Sequence, residues 1–185
     1  LAVDTILHAK HIYIIGIRSC APLASFMAFY FTLMFPNVHL IQTSSSSEIF
    51  EQMVRIGKED VIIGISFPRY SMRTLKAMEF ANNRSAKVIT LTDSVHSPMN
   101  LYSSCNLIAD SDMASIVDSL VAPLSVINAL IVALCMKKQN EVAKTLEMLE
   151  DIWDEYQVYE NDEINYIDDS IKMRYGKVGD AELYE

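Results

Sequence analysis

Cysteine is scarce in this sequence of 185 residues, and the three that occur (Cys20, Cys105 and Cys135) stand far apart, within or beside apolar runs. An odd, scattered set argues against both a disulfide framework and a zinc site, and it suits a reducing cytosol. No basic segment leads into an apolar one at the start of the chain, so a signal peptide is not predicted. We therefore expect a cytoplasmic protein.

Long, uniform apolar runs are also missing. The longest, from Leu120 to Met136, is interrupted by Pro123, Ser125 and Asn128. A membrane span needs about 20 predominantly apolar residues. We interpret the run as a buried helix at the subunit interface of a homodimer or homotetramer, with a membrane span as the alternative.

The sequence also lacks clusters of lysine and arginine. Residues 1–149 contain 12 acidic and 12 basic side chains, whereas residues 150–185 contain 12 acidic and 3 basic, so the net charge of −9 comes from the last fifth of the chain. A nucleic-acid backbone requires clustered cations. This chain is therefore not expected to bind nucleic acid itself, and residues 157–185 are expected to form an acidic C-terminal arm after a domain at residues 1–156.

What the sequence does contain is a regular alternation of short apolar runs with helical patterns. The predicted strands are His11–Ile17, Asn37–Gln42, Asp60–Ser66, Lys87–Thr92 and Asn106–Ala109. Four helices are predicted at Ala21–Phe35, Met72–Arg84, Ala114–Lys138 and Glu141–Tyr156, and Leu1–Lys10 is predicted to be the end of an amphipathic helix. A further helix is predicted to start at a capping box formed by Ser45 and Glu48 and to end near Gly57. A short helix is predicted to start at Ser97 and Pro98. Strands that are apolar on both faces and alternate with helices predict an α/β fold, a doubly wound, three-layer αβα sandwich around a five-stranded parallel sheet.

In such folds ligands bind beyond the carboxyl ends of the strands, so the loops after the first and third strands are the candidate sites. After the first strand, Gly16 permits a tight turn, Arg18 and Ser19 supply polar groups, and a helix start follows. This is the outline of an anion site, although a single serine in such a turn also fits a helix N-cap. The dinucleotide fingerprint G-x-G-x-x-G is absent, so no cofactor is predicted.

The loop after the third strand is more informative. It places three hydroxyl side chains (Ser66, Ser71 and Thr74) and Arg69 within nine residues, at a strand end and a helix start. A phosphate favours hydroxyls, backbone N–H donors and a guanidinium. The alternative is that Ser71 only caps the helix while Arg69 and Arg73 are solvated.

Several segments together resemble the SIS (sugar isomerase) family, and within it the ligand-sensing domain of RpiR-type bacterial transcriptional regulators. They are G-x-R-S at Gly16–Ser19, I-S-F-P-R-Y-S at Ile65–Ser71, T-D-S-x-x-S-P at Thr92–Pro98, V-D-S-L-V-A-P-L-S-V-I-N-A-L-I at Val117–Ile131 and L-E-x-x-W near Leu149–Trp153. The resemblance implies a dimer that binds a sugar phosphate to sense carbohydrate metabolism. The helix-turn-helix domain of such regulators is not visible ahead of Leu1.

The resemblance also assigns roles. Ser66 and Ser71 fall on the first serine and the final Ser/Thr of the general S-x-S-G-x-T phosphate loop, and Ser19 falls on the first-loop hydroxyl. Pro68 replaces the middle serine of that pattern and Arg69 its glycine. The resemblance therefore implies a remodelled grip in which Arg69 substitutes for the lost hydroxyl.

A phosphosugar isomerase is the alternative function. It needs a general base, usually Glu or His, beside the ligand. The stretch after the fifth strand, residues 110–115, contains no Glu, and His96 is the one histidine near the carboxyl edge. We therefore predict no catalytic residue, with His96 as the weak candidate, and no metal site. A third possibility is an interaction protein whose pocket is vestigial.

Overall fold

The computed structural model describes residues 1–43, 45–111 and 119–159. The chain divides into two compact units, the first from Leu1 to Val142 and the second from Ala143 onward. In the described part of the second unit, a helix runs on to Glu155, and the rings of Trp153 and Tyr159 contact each other edge to face, with their centroids 5.3 Å apart. The predicted boundary at 156/157 stays a prediction, and most of the predicted acidic arm, residues 160–185, lies outside the described residues.

The first unit is built from five strands and the helices between them. The strands are β1 (Ile12–Gly16), β2 (Val38–Ile41), β3 (Val61–Ile65), β4 (Lys87–Thr92) and β5 (Cys105–Ile108). The helices are α1 (Ala2–Leu7), α2 (Ala21–Met34), α3 (Ser46–Gln52), α4 (Met72–Asn83), α5 (Val121–Lys137) and α6 (Gln139–Glu155), and short 3-10 helices occupy Arg18–Cys20 and Pro98–Tyr102.

All four strand pairings are parallel, and the strand order is β2-β1-β3-β4-β5. Gly16 at the end of β1 is in register with Ile65 of β3, and Ile65 is in register with Leu91 of β4. The loops after β1, β3 and β4 therefore emerge side by side at the carboxyl edge. The strand order reverses between β1 and β3, which is where folds of this type bind ligands.

Helices cover both faces of the sheet, which confirms the predicted three-layer arrangement. One core cluster joins α1, α2 and α5 to side chains such as Ile14 and Ile63, and the other joins α3 and α4 to side chains such as Ile15 and Ile62. The central strands β1 and β3 are buried throughout. The edge strands β2 and β5 are only partly buried, because each has a neighbouring strand on one side alone.

The predicted capping box at α3 is wrong. Ser45 is the N-cap residue, but its side chain makes no capping hydrogen bond, and Glu48 instead accepts a hydrogen bond from the Thr43 hydroxyl. The helix also ends at Gln52 instead of reaching Gly57. The chain leaves the helix there and buries Met53 and Ile56, at 0% and 2% exposure, in the second core cluster. Burial of apolar side chains outweighs the local helix signal.

Helix α5 begins at Val121, later than the predicted start at Ala114, which lies outside the described residues. Pro123 sits in its first turn, where its missing N–H leaves no helical bond unmade. One side of the helix is buried in the core, and Val121, Val132 and Met136 project outward at 74%, 57% and 75% exposure. Among the described residues no single helix is long and apolar enough to cross a membrane; α5 and α6 meet that test only when taken together as a bent pair.

Candidate anion site at the carboxyl edge

The loop after β1 forms a tight turn with two exposed polar side chains. Arg18 adopts a left-handed backbone conformation with φ of 60° and, like Ser19, is exposed. Cys20, not Ser19, is the residue before α2, and no side chain caps that helix. The N-cap interpretation of Ser19 is therefore wrong. Within the described ranges, the exposed Ser19 hydroxyl has no hydrogen-bond partner.

The loop after β3 closes on itself through its two serines. Ser66 is only 3% exposed, and its Oγ accepts a hydrogen bond from the Ser71 N–H at 3.0 Å. Ser71 is the N-cap of α4, where its Oγ accepts from the Thr74 N–H at 3.3 Å. The capping role considered for Ser71 is confirmed, but the bond from Ser71 back to Ser66 was not expected. Together these bonds fold residues 66–71 into a compact turn at the start of a 12-residue helix.

Arg69 lies at the tip of this turn with φ of 63°, in the left-handed region that favours glycine. The general phosphate loop that this segment resembles has a glycine at the same position. The arginine side chain is exposed, and no ion pair holds it in the part of the chain that the structure describes. The loop thus combines a strained backbone with an exposed guanidinium group that can bind an anion.

This strain predicts a stability difference between two substitutions. Arg69→Gly relieves the left-handed conformation and should raise the free energy of unfolding by about 0.5–1 kcal/mol. Arg69→Ala removes the same guanidinium but keeps the strain, so it serves as the matched control and should stay near wild type. Urea denaturation measures both, and equal stabilities of the two variants would contradict the interpretation.

Thr74 is placed differently from the other predicted site residues. It is fully buried on the inner face of α4, where a Cβ added to Gly64 would lie 3.5 Å from its methyl carbon. Its Oγ1 has no hydrogen-bond partner among the described residues. A ligand in the loop does not reach this side chain without a rearrangement of the helix start.

A hydrogen bond that the sequence interpretation missed joins this loop to the next one. The Tyr70 hydroxyl donates to both carboxylate oxygens of Asp93, at 2.9 and 3.2 Å, and Asp93 Oδ1 also accepts from the Thr92 hydroxyl at 3.1 Å. Partial burial, followed by the bond to Asp93, raises the pKa of Tyr70. In the turn that follows, the Ser94 Oγ accepts a hydrogen bond from the His96 N–H at 3.1 Å. His96 itself is exposed.

Two cavities lie near the ends of the strands. A groove of about 280 Å³ runs between α3 and α4 and is lined by Ser46, Ile49, Phe50, Met72, Arg73 and Lys76. A second, of about 320 Å³, opens at the opposite, amino edge of the sheet, between α1 and the starts of β3 and β4. Neither of these two cavities is lined by the predicted site residues.

The described residues contain no group of three or more His, Cys, Asp or Glu side chains placed to hold a metal ion. Two histidines do meet, His11 Nδ1 and His39 Nε2 at 3.1 Å, but at the amino edge. Partial burial, with a smaller contribution from His11, lowers the pKa of His39. This pair is remote from the loops described above.

Both the sequence and the fold of the chain match those of known proteins. Residues 5–133 match the SIS domain family model. The chain belongs to the SIS domain family. An uncharacterized HTH-type transcriptional regulator of Caldanaerobacter subterraneus subsp. tengcongensis is 32% identical over 98 residues, which cover 51% of this chain and 35% of that protein. This SIS chain therefore aligns with about a third of its curated relative.

Two solved structures share the fold of this SIS domain. The sugar isomerase domain of an RpiR transcription factor from Sphaerobacter thermophilus has a TM-score of 0.77 at 23% identity, covering 81% of this chain and 83% of that one. The Vibrio vulnificus NanR protein, complexed with ManNAc-6P, has a TM-score of 0.70 at 18% identity, covering 82% and 59%. The resemblance inferred from the sequence motifs is thereby confirmed at the level of family and fold.

Proposed function

We propose that this SIS domain binds a sugar phosphate as a signal and serves as the sensing module of an RpiR-type regulator of carbohydrate metabolism in the cytoplasm. The observation that carries the proposal is the closed turn from Ser66 to Ser71 at the start of α4, flanked by exposed polar side chains for which no partner is found among the described residues. The NanR structure with bound ManNAc-6P and the regulator relatives support it. DNA binding would belong to a separate domain of the regulator.

The chemistry of the turn suits a phosphate. The first N–H groups of a helix have no partners within the helix, and the positive end of the helix dipole favours an anion there. Ser71 satisfies only the Thr74 N–H of α4 with its side chain. The Ser66 hydroxyl, which accepts a bond from Ser71, keeps its own hydrogen for a ligand. Arg69, Arg18 and Ser19 are exposed where they can complete the anion's coordination.

Thermal unfolding with paired ligands tests the proposal. A panel containing ManNAc-6P, fructose 6-phosphate and glucose 6-phosphate is compared with the matching free sugars and with inorganic phosphate. A ligand present at a hundred times its Kd adds about 2.7 kcal/mol to the stability of the folded state, which raises Tm by several degrees. We expect at least one sugar phosphate to stabilise the protein and the free sugars to have little effect. Equal stabilisation by free sugars, or no response to any phosphate, would defeat the proposal.

An aldose–ketose phosphosugar isomerase is the second candidate, and exposed His96 near the same edge is the observation that favours it. Incubation of the pure protein with the same phosphates should give no interconversion above background. Turnover that is lost in His96→Ala would establish the enzyme instead of the sensor.

We also propose that the chain forms a dimer through its outward apolar side chains. Phe29 of α2 is 62% exposed, and α5 exposes Val132 and Met136 on the same face of the sheet. Apolar patches of this kind mark association surfaces. Light scattering at micromolar concentration should give at least twice the chain mass of 20.9 kDa.

A matched pair of substitutions locates the interface. Val132→Glu should lower the mass towards that of one chain, since a buried carboxylate is costly. Val54 is exposed to the same extent, 56% against 57%, but follows α3 on the other face, so Val54→Glu should leave the mass unchanged. A monomeric wild type would refute the dimer.

A further inference from the structure

The turn that we propose as the phosphate loop crosses the top of the sheet from one core cluster to the other. Phe67 is buried in the cluster that contains α2 and α5, whereas the ring of Tyr70 packs against the cluster that contains α3 and α4. Between them, Pro68 and Arg69 are exposed. The tip of the loop thus has few contacts of its own, and its shape depends on how its two ends are held.

The Ser66–Ser71 bond closes the turn by joining its two ends. Next to Ser71, the Tyr70 hydroxyl reaches Asp93 in the loop after β4. Asp93 is itself held in place, because its Oδ1 accepts from Thr92, the last residue of β4. The Thr92 hydroxyl also lies 2.9 Å from Ser97 Oγ, which accepts from the Met99 N–H at 3.2 Å. A continuous set of hydrogen bonds therefore runs from the backbone after β4 to the loop after β3.

We infer that Tyr70 is a positioning residue for the phosphate loop, acting through Asp93 to hold residues 66–71 in the shape that binds an anion. The inference rests on the proposed function for its ligand, but the ordering of the loop is a separate, measurable property. The Tyr70–Asp93 pair restrains the turn from within the span that the serine bond closes. It does so in the residue next to Arg69, whose left-handed backbone has to be held against its strain.

The pair also has an electrostatic consequence. Asp93 places a carboxylate beside a loop that is to receive an anion, and two like charges repel. The Tyr70 hydroxyl donates to both of its oxygens and Thr92 donates to one. These donors stabilise the negative charge where it is and keep the carboxylate directed at Tyr70. Loss of the tyrosine hydroxyl would free Asp93 to compete with the ligand.

The test compares Tyr70→Phe, Asp93→Ala, the conservative Asp93→Asn and the double variant Tyr70→Phe/Asp93→Ala. Two readouts are taken on the full chain: amide hydrogen exchange at the Ser71 N–H, without ligand, and the Kd for inorganic phosphate. Tyr70→Phe should accelerate Ser71 exchange and weaken phosphate binding by about tenfold, the effect of one hydrogen bond to a charged group. Asp93→Ala should accelerate exchange as much but weaken binding less, because it also removes a carboxylate that repels the anion. The double variant should be no worse than either single one, and Asp93→Asn, which keeps an acceptor oxygen, should lose less.

Tyr102→Phe is the matched control. The Tyr102 hydroxyl donates to the Glu79 carboxylate of α4 at 2.8 Å. Tyr102→Phe therefore removes a tyrosine–carboxylate bond of the same chemistry away from the loop. It should leave Ser71 exchange and phosphate affinity unchanged. An effect of Tyr102→Phe equal to that of Tyr70→Phe would overturn the inference, because both tyrosines would then act through general stability.

The two readouts separate the inference from the proposed function. If the wild type binds phosphate, and Tyr70→Phe changes neither exchange nor affinity, the positioning role is refuted while the sensor proposal stands. If the wild type binds no phosphate, but the variants still accelerate exchange at Ser71, the sensor proposal fails and Tyr70 is established as the residue that orders the loop.

Discussion

Replacing Gly16 with alanine is expected to destabilise the protein by about 3 kcal/mol. A Cβ on Gly16 would lie 2.6 Å from the Cys20 carbonyl oxygen and 3.0 Å from the Ala24 Cβ. The first of these atoms belongs to the backbone at the start of α2, so relief requires the helix to move away from the sheet. That movement would loosen the packing of Leu23 and Met27 in the larger core cluster. Urea denaturation followed by circular dichroism measures the loss.

Two other glycines provide the controls. At Gly57 no atom lies within 4 Å of an added Cβ, so Gly57→Ala should change the free energy of unfolding by less than about 0.5 kcal/mol. At Gly64 the added atom would meet Met78 Sδ at 2.3 Å, a contact with a flexible side chain. Gly64→Ala should therefore cost less than Gly16→Ala. A Gly16→Ala variant as stable as Gly57→Ala would show that the β1–α2 turn is not tightly packed.

The sheet was predictable because its signal is repeated and strong. Runs such as Ile12–Gly16 and Val61–Ile65 are apolar without alternation, which is typical of parallel strands buried on both faces. Because the strands alternate with helices, they are joined by crossover connections, which are right-handed. Only a few strand orders in the sheet are compatible with that handedness. The predicted strand boundaries coincide with the observed ones for β4 and differ by one residue at each end of the other strands, as expected where hydrogen bonding fades at an element's end.

Helix ends were less predictable, since tertiary packing decides them. The Ser45/Glu48 spacing is a regular capping-box signal, yet the Glu48 carboxylate accepts a hydrogen bond from the Thr43 hydroxyl. The gain from burying Met53 and Ile56 ends α3 early. Neither effect can be seen within a window of a few residues, because both depend on what the folded chain brings nearby.

At the candidate site, too, the features with a local sequence signal were predictable and those that depend on tertiary contacts were not. Ser66 and Ser71 could be singled out from the sequence because a strand end, hydroxyls and a helix start occur within nine residues. The Tyr70–Asp93 bond could not, since it joins residues 23 apart in the chain. One signal was available: both residues follow adjacent strands at the carboxyl edge, so a tyrosine and a carboxylate placed there were candidates for contact.

Removing the Ser66 hydroxyl is expected to weaken binding of the stabilising sugar phosphate by about ten- to a hundredfold. A hydrogen bond to a charged group contributes roughly 1.5–3 kcal/mol, and about 1.4 kcal/mol is a factor of ten in Kd. Ser66→Ala removes the donor that we propose for the phosphate and also the acceptor for the Ser71 N–H, so both losses act in the same direction. Titration calorimetry well below the Tm of every variant gives the affinities.

A buried hydroxyl outside the loop distinguishes this effect from a general loss of stability. Thr90 of β4 is fully buried, and its hydroxyl lies 2.8 Å from Asn100 Oδ1 and 3.1 Å from Asn106 Oδ1. Thr90→Val removes that hydroxyl at nearly constant volume and should lower Tm, because the Asn100 and Asn106 amide oxygens lose a donor. Its sugar-phosphate affinity should nevertheless equal that of the wild type, since Thr90 does not contribute to the turn at residues 66–71. If Ser66→Ala binds the sugar phosphate as tightly as Thr90→Val does, the turn is a helix start that does not bind the anion.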